Sequence, residues 1–289
     1  MTQGILLALG AAVVYGFLGV CYETAAKRGY RIWDVGLFMQ LTGFLIGLTV
    51  TALHGSLLFD VRLLVLGVLG GASFVLSIYF YLSASRERDI GANWTIVNLS
   101  VVLPILVSIL WFRDAFTLMK GLGVVGTLAS IAVIGGGMAK TGAGRPSSQW
   151  FLFISLAFCA NAILPILLRF VPAHQSVLFT TYLYGTGLLL FLSVRLATSR
   201  DWTMSGGLIR IAAGAAATHW CGIVLTMAAL SLVGSVSKQA GVIVYPITNG
   251  LVIPCGVVLG AMILKQTIPA RSKWGVALGV LAMVSLSFS

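Results

Sequence analysis

The sequence predicts an all-α integral membrane protein, with ten transmembrane helices arranged as two inverted five-helix repeats. Three observations carry this expectation. Hydrophobic residues make up 59% of the 289 and charged residues 9%, where a soluble domain holds roughly 25% charged residues. With a mean hydropathy of +1.04, the chain has too little polar surface to face water, and a bilayer is the solvent that fits the rest. Apolar runs fall at 4–24, 33–53, 62–84, 91–111, 117–137, 150–169, 176–197, 207–231, 238–261 and 273–289, each near the roughly 20 residues that span a bilayer. The segment 139–149, AKTGAGRPSSQ, is rich in Gly and Ser with one Pro and two cations, which marks a linker.

The linker divides the chain into a first repeat, 1–138, and a second, 150–289. An odd number of spans per half forces halves of shared fold into opposite orientations. Such inverted repeats place a substrate site near the bilayer midplane. The runs are too long for barrel strands and lack their alternation, so helices are the remaining choice. Run one has no basic segment before it and no cleavage site, so it reads as the first helix rather than a leader. Gly-x-x-x-Gly recurs at Gly43/Gly47, Gly67/Gly71, Gly256/Gly260 and Gly275/Gly279, a spacing that lets helix backbones approach closely in lipid. Run four carries Pro104, and run nine carries Pro246 and Pro254. Arg113-Asp114 precedes Gly123 by the same spacing that separates Lys265-Gln266 from Gly275. Cys21, Cys159, Cys221 and Cys255 sit in apolar runs without CxxC spacing and read as small buried hydrophobes.

The net charge of +11 is scattered over short loops, which argues for topology signals and against nucleic acid as a partner. Twelve Lys and Arg fall in odd-numbered loops and five in even-numbered ones. The positive-inside rule then sets odd loops in the cytoplasm and both termini outside it, for a multi-pass protein of a bacterial inner (plasma) membrane.

No catalytic constellation is visible. His54, His174 and His219 lack metal-site spacing, no Cys/His cluster reads as a zinc site, and there is no P-loop. Neither an enzyme nor a resident metal or cofactor is expected. Polar and aromatic residues at membrane depth are then the candidates, because they are costly in lipid and should face the bundle interior. Tyr15, Gly19 and Tyr22 share one face of run one, as an aromatic wall with a glycine notch; the alternative makes Tyr22 an interface anchor. Ser77 stacks with Ser73 and Tyr81 on run three, as substrate contact or as glue between helices. Trp94 and Asn98 lie four apart near Pro104, and the Asn98 amide offers donors and an acceptor to an amino or carboxyl group. Pro165 clashes with the carbonyl four residues back, which belongs to Asn161, so kink and amide coincide. His219, beside Trp220, lies deep in run eight and can titrate near neutrality, which makes it the proton-coupling candidate by elimination. Lys238 either holds a substrate carboxylate or phosphate or snorkels to the interface. Tyr245, before Pro246, completes the substrate-binding candidates.

The pattern resembles the drug/metabolite transporter superfamily, in particular its EamA-type ten-helix exporters. The segments that carry the likeness are SIYFYLSASRERDIGANWTIVNLSVVLPILVSIL with WFRDAFTLMKGLGVVGTLASIAVIGG, and VLTMAALSLVGSVSKQAGVIVYPITNGLVIPCGVVLG with AMILKQTIPARSKWGVALGVLAMVSLSF. The resemblance covers the whole chain and implies export of metabolites such as amino acids. Two departures stand out. Where relatives often carry Glu after the fourth and ninth helices, this chain has Arg113-Asp114 and Lys265-Gln266. Where the small multidrug branch has a carboxylate midway along helix one, it has Tyr15. The expected function is therefore a secondary transporter of small polar or amphipathic metabolites working by alternating access, with a lipid-linked sugar flippase or a facilitative channel or uniporter as alternatives. Its partners are a small-molecule substrate and the lipid bilayer, and a monomer suffices.

Overall fold

The computed structural model describes residues 1–53, 59–84, 93, 96–136, 147–198, 204–265 and 270–287. The helices are α1 (Thr2–Lys27), α2 (Ile32–Leu53), α3 (Val61–Ala84), α4 (Ile96–Leu110), α5 (Leu118–Gly136), α6 (Ser148–Leu168), α7 (Ser176–Thr198), α8 (Gly206–Val236), α9 (Ala240–Leu264) and α10 (Ala270–Ser287). Seven of them, α1 to α3 and α6 to α9, are long and apolar enough to cross a membrane, while α4 and most of α5 form shorter apolar helices. Of the linker expected at 139–149, only 147–149 are described; 148 and 149 already belong to α6.

Local chemistry sets the helix starts. The Ser147 and Ser205 hydroxyls accept the N–H groups of Trp150 and Leu208 at 3.0 and 3.1 Å, and the Asp60 carboxylate accepts that of Leu63 at 3.1 Å. Each satisfies a donor that a helix N-terminus leaves unpaired. Large apolar side chains such as Leu6, Leu45, Leu69 and Leu189 point outward and are exposed, the reverse of a water-facing surface.

The halves interleave. The principal packing partners of α1 are α8 and α9; those of α2 are α7 and α8; those of α3 are α6 and α7; α4 packs on α6 and α9, and α5 on α10. Exchanging each helix with the one five places along the chain returns these pairs, while the packing of α5 on α9 has no counterpart of like extent between α10 and α4. Register gives the directions. Gly123 meets Leu286, Gly126 meets Ala282, and Gly279 and Gly275 meet Ser130 and Ile134, so α5 and α10 run antiparallel. Gly36, Gly43 and Gly47 meet Phe191, Tyr184 and Thr181 in turn, so α2 and α7 are antiparallel as well. Gly67 on Tyr182 and Gly71 on Thr186 make α3 and α7 parallel. Three of the four expected small-residue motifs, Gly43/Gly47, Gly67/Gly71 and Gly275/Gly279, thus lie at close helix crossings, and the Ser130 hydroxyl donates to the Gly275 carbonyl across one of them at 2.6 Å.

α4 and α9 are both irregular. α4 contains a 3₁₀ turn, Leu99–Val101, and α9 a π turn, Pro246–Gly250. Each ends just before a proline, Pro104 or Pro254, that lacks an N–H and clashes with the carbonyl four residues back. The two breaks pack against each other. Each helix is also followed by a left-handed residue, Arg113 (φ 56°) or Lys265 (φ 51°). Irregular backbone at membrane depth is tolerated where protein surrounds it.

Candidate functional site

Five helices bring side chains or backbone to His219. Its Nδ1 lies 2.8 Å from the Tyr184 hydroxyl, which also reaches the Ala216 carbonyl at 3.4 Å. The rings of Phe74 and Tyr15 stand 5.1 and 6.0 Å from the imidazole. α1, α3, α7 and α8 each contribute a ring, and α2 contributes Gly43, over which the Tyr184 ring lies. Glycine is needed at two of these approaches: a Cβ on Gly43 would enter the Tyr184 ring, and one on Gly222 would fall 2.5 Å from Tyr15 Cε1. The nest holds hydrogen-bonding groups without a formal charge pair. Such groups are tolerated in an apolar interior when they are bonded to one another.

Tyr22, on the same side of α1 as Tyr15, turns toward α2 and donates to the Met39 sulfur at 3.2 Å. No atom of another helix lies within 4 Å of a Cβ built on Gly19, so α1 is unpacked at that point. Trp220 packs half-buried against the core, and its indole N–H is buried without a partner.

A second cluster joins α4, α6 and α9. The Asn161 amide donates to the Ser100 hydroxyl at 2.9 Å and to the Val97 carbonyl at 3.3 Å, bracing the irregular turn of α4 on which Asn98 sits half-buried. The Tyr245 hydroxyl donates to the Pro165 carbonyl at 2.9 Å. That carbonyl is open at the end of α6, where the Arg169 N–H turns to Ile166 at 3.2 Å instead. Asn161 thus ties α6 to α4, and Tyr245 ties α9 to the one proline of α6.

The other candidates lie apart. Ser77 points from α3 to the Ala157 carbonyl of α6 at 3.5 Å, an interhelical contact. Lys238 is exposed in the turn between α8 and α9, and its carbonyl accepts the Ala115 N–H at 2.5 Å. Trp94 lies outside the described residues. The hollow that opens beside α4 and α6, about 290 Å³, is mostly apolar, lined by Ile96, Ile154, Ser155, Phe158 and Cys159. It lies away from the nest, where ring packs on ring.

Three features escaped the sequence. Asp34 and Arg195 pair at 2.9 Å between α2 and α7, with side chains 3% and 5% exposed. Asp114 pairs with Arg169 at 2.8 Å. Gln40 of α2 is fully buried against Gly187, with both atoms of its amide unpaired. The readable signal for the first was opposite charge near the ends of runs two and seven. At the end of the bundle beyond α1, the half-buried Tyr30 has its phenol held below its usual range by the Ser205 hydrogen bond at 3.3 Å and then by the neighbouring Arg28 and Arg210.

Residues 2–136 match the EamA-like transporter family. No curated protein matches the chain. Among solved structures, one crystal structure of a protein superposes with a TM-score of 0.73 at 14% identity, covering 99% of this chain and 98% of that one. At that identity the likeness concerns the fold alone. The chain is a multi-pass, all-helical membrane protein.

Proposed function

We propose, on the premise that residues 2–136 belong to the EamA-like transporter family of the drug/metabolite transporter superfamily, that this chain is a secondary transporter exporting small polar or amphipathic metabolites. Amino acids and related compounds come first among them, and the cycle is alternating access between two inverted five-helix halves. The observation that carries the reading is the nest of Tyr15, Phe74, Tyr184 and His219, into which helices of both halves converge. Its rings fit an apolar body, and its imidazole and hydroxyls fit a neutral or zwitterionic polar group. Trp220, with a spare N–H one residue on, adds a donor for the substrate. Lys238 sits in an exposed turn, which favours a substrate without net charge. The principal helix pairs that return on exchange of the halves, the antiparallel α2–α7 and α5–α10 pairs and the matched breaks of α4 and α9 support inverted repeats. The packed nest fits a closed stage of the cycle. Loop charge favours both termini outside the cytoplasm of a bacterial plasma membrane.

The apolar hollow beside α4 and α6 favours a second reading, a lipid-linked sugar flippase, because an acyl tail fits such a lining. Uptake into proteoliposomes separates the two, using labelled amino acids, nucleosides and sugar phosphates with and without a pH gradient, alongside a fluorescent lipid-scrambling assay. Saturable movement of a neutral or zwitterionic solute is the expected result. Lipid movement with no solute uptake favours the flippase, and movement of neither contradicts transport.

A further inference from the structure

Where α4 ends and α9 begins, segments of both halves are tied together by polar contacts. Asp114, in the turn after α4, accepts the backbone N–H groups of Gly241 and Val242 at 2.6 and 3.4 Å, in the first turn of α9. The other oxygen of the same carboxylate pairs with the Arg169 guanidinium at 2.8 Å, just past the end of α6. The Asp114 side chain is 1% exposed and that of Arg169 15%. Arg169 also lies over the Phe112 ring, 5.0 Å from its centre, and Phe112 meets Phe170 at 5.1 Å. Around this centre Ala115 donates to the Lys238 carbonyl at 2.5 Å, the Lys120 ammonium donates to the Gln239 amide oxygen, and Arg62 donates to the Phe170 carbonyl at 3.1 Å. Every one of these contacts joins a residue before the linker to one after it.

The turn exists because Arg113 takes a left-handed conformation (φ 56°) that sends the next residue back over the bundle. Lys265 takes the same conformation after α9 (φ 51°). There the next residue is Gln266, which carries no charge. The carboxylate therefore serves only one of the two matched turns. A buried ion pair that loses one partner leaves a charge in a poor solvent, so parting this pair requires that water reach both charges.

We infer that the Asp114–Arg169 pair, with its grip on the start of α9, is the latch of one gate in the transport cycle. This rests on the alternating access proposed above. Opening this face draws α4 from α9 and lets water reach both charges. Ser108 reports the event: it is 1% exposed, packed against Gly241 beneath the latch, with its hydroxyl unpaired.

The test is the rate at which a membrane-impermeant maleimide labels Ser108→Cys in lipid nanodiscs, where both faces are accessible, with Cys21, Cys159, Cys221 and Cys255 replaced by alanine. Asp114→Asn keeps an oxygen for the Gly241 N–H and removes only the ion pair; Arg169→Gln removes it from the other side. Labelling should be slow with the pair intact and rise by about tenfold in both variants, the equivalent of about 1.4 kcal/mol toward the open form, while Arg169→Lys stays near the parent. Unchanged labelling in both variants, with monodisperse protein, overturns the latch. If both variants lose monodisperse protein, the contacts serve folding rather than gating, and the proposal also falls. Because labelling needs no substrate, a failure of the latch is read separately from a failure of transport, which the uptake panel alone decides.

Discussion

At the scale of single residues, placement inside the bundle follows from what each side chain can bond. His219 and Tyr184 satisfy each other at 2.8 Å, so a polar pair persists where water is excluded. Asn161 spends its amide on the 3₁₀ turn of α4, which ties α6 to the break of α4. Trp220 keeps an unpaired N–H, and such a group gains most from a ligand that accepts it. Asn161→Ala and Trp220→Ala should therefore abolish uptake of the transported solute while leaving monodisperse protein in detergent. Full uptake by both variants removes them from the site. Much of this was legible in the sequence: Tyr15, Asn161, His219, Trp220 and Tyr245 stood out as polar or aromatic groups at membrane depth. Phe74 and Tyr184 did not, because an aromatic ring within an apolar run carries no mark of which helix it will meet. The Asp34–Arg195 pair escaped because a charge near a run's end reads first as a topology signal; Gln40, an uncharged polar side chain within run two, bore the same mark as Asn161 and was passed over.

At the scale of helices, small residues decide which faces approach. Gly36, Gly43 and Gly47 lie against Phe191, Tyr184 and Thr181, so α7 rests directly on the α2 backbone. Gly43→Val would force its side chain into the Tyr184 ring. Overpacking of this kind costs about 1–3 kcal/mol, and the thermal unfolding midpoint in detergent should fall accordingly, with Tyr184 displaced from His219. Gly19→Ala meets open space and should leave the midpoint unchanged. Equal midpoints for the two variants would count against the packing described. The runs read from hydropathy overlap these helices to within a few residues, because apolar length alone sets them. The prolines of α4 and α9 were legible as a matched feature of the two halves, but the 3₁₀ and π turns beside them were not: these turns pack on neighbours such as Asn161 and Thr127, which lie far off in sequence.

At the scale of the molecule, the two halves do not stand side by side as separate bundles. Each packs chiefly on the other, and the nest at His219 draws on α1, α2 and α3 from one and α7 and α8 from the other. Gly-x-x-x-Gly spacing announced close crossings without naming partners, so this interleaving was not readable from one sequence. It has a mechanical consequence. A shift of one half against the other changes the surroundings of the nest from both sides at once, as a carrier requires and a fixed pore does not. Counterflow tests this most directly. Proteoliposomes loaded with a neutral amino acid that the protein moves are diluted into a trace of the labelled compound. The account predicts transient accumulation of label above equilibrium, lost when His219 is replaced by alanine. Label that only equilibrates, without overshoot and at the same rate in His219→Ala, would contradict it.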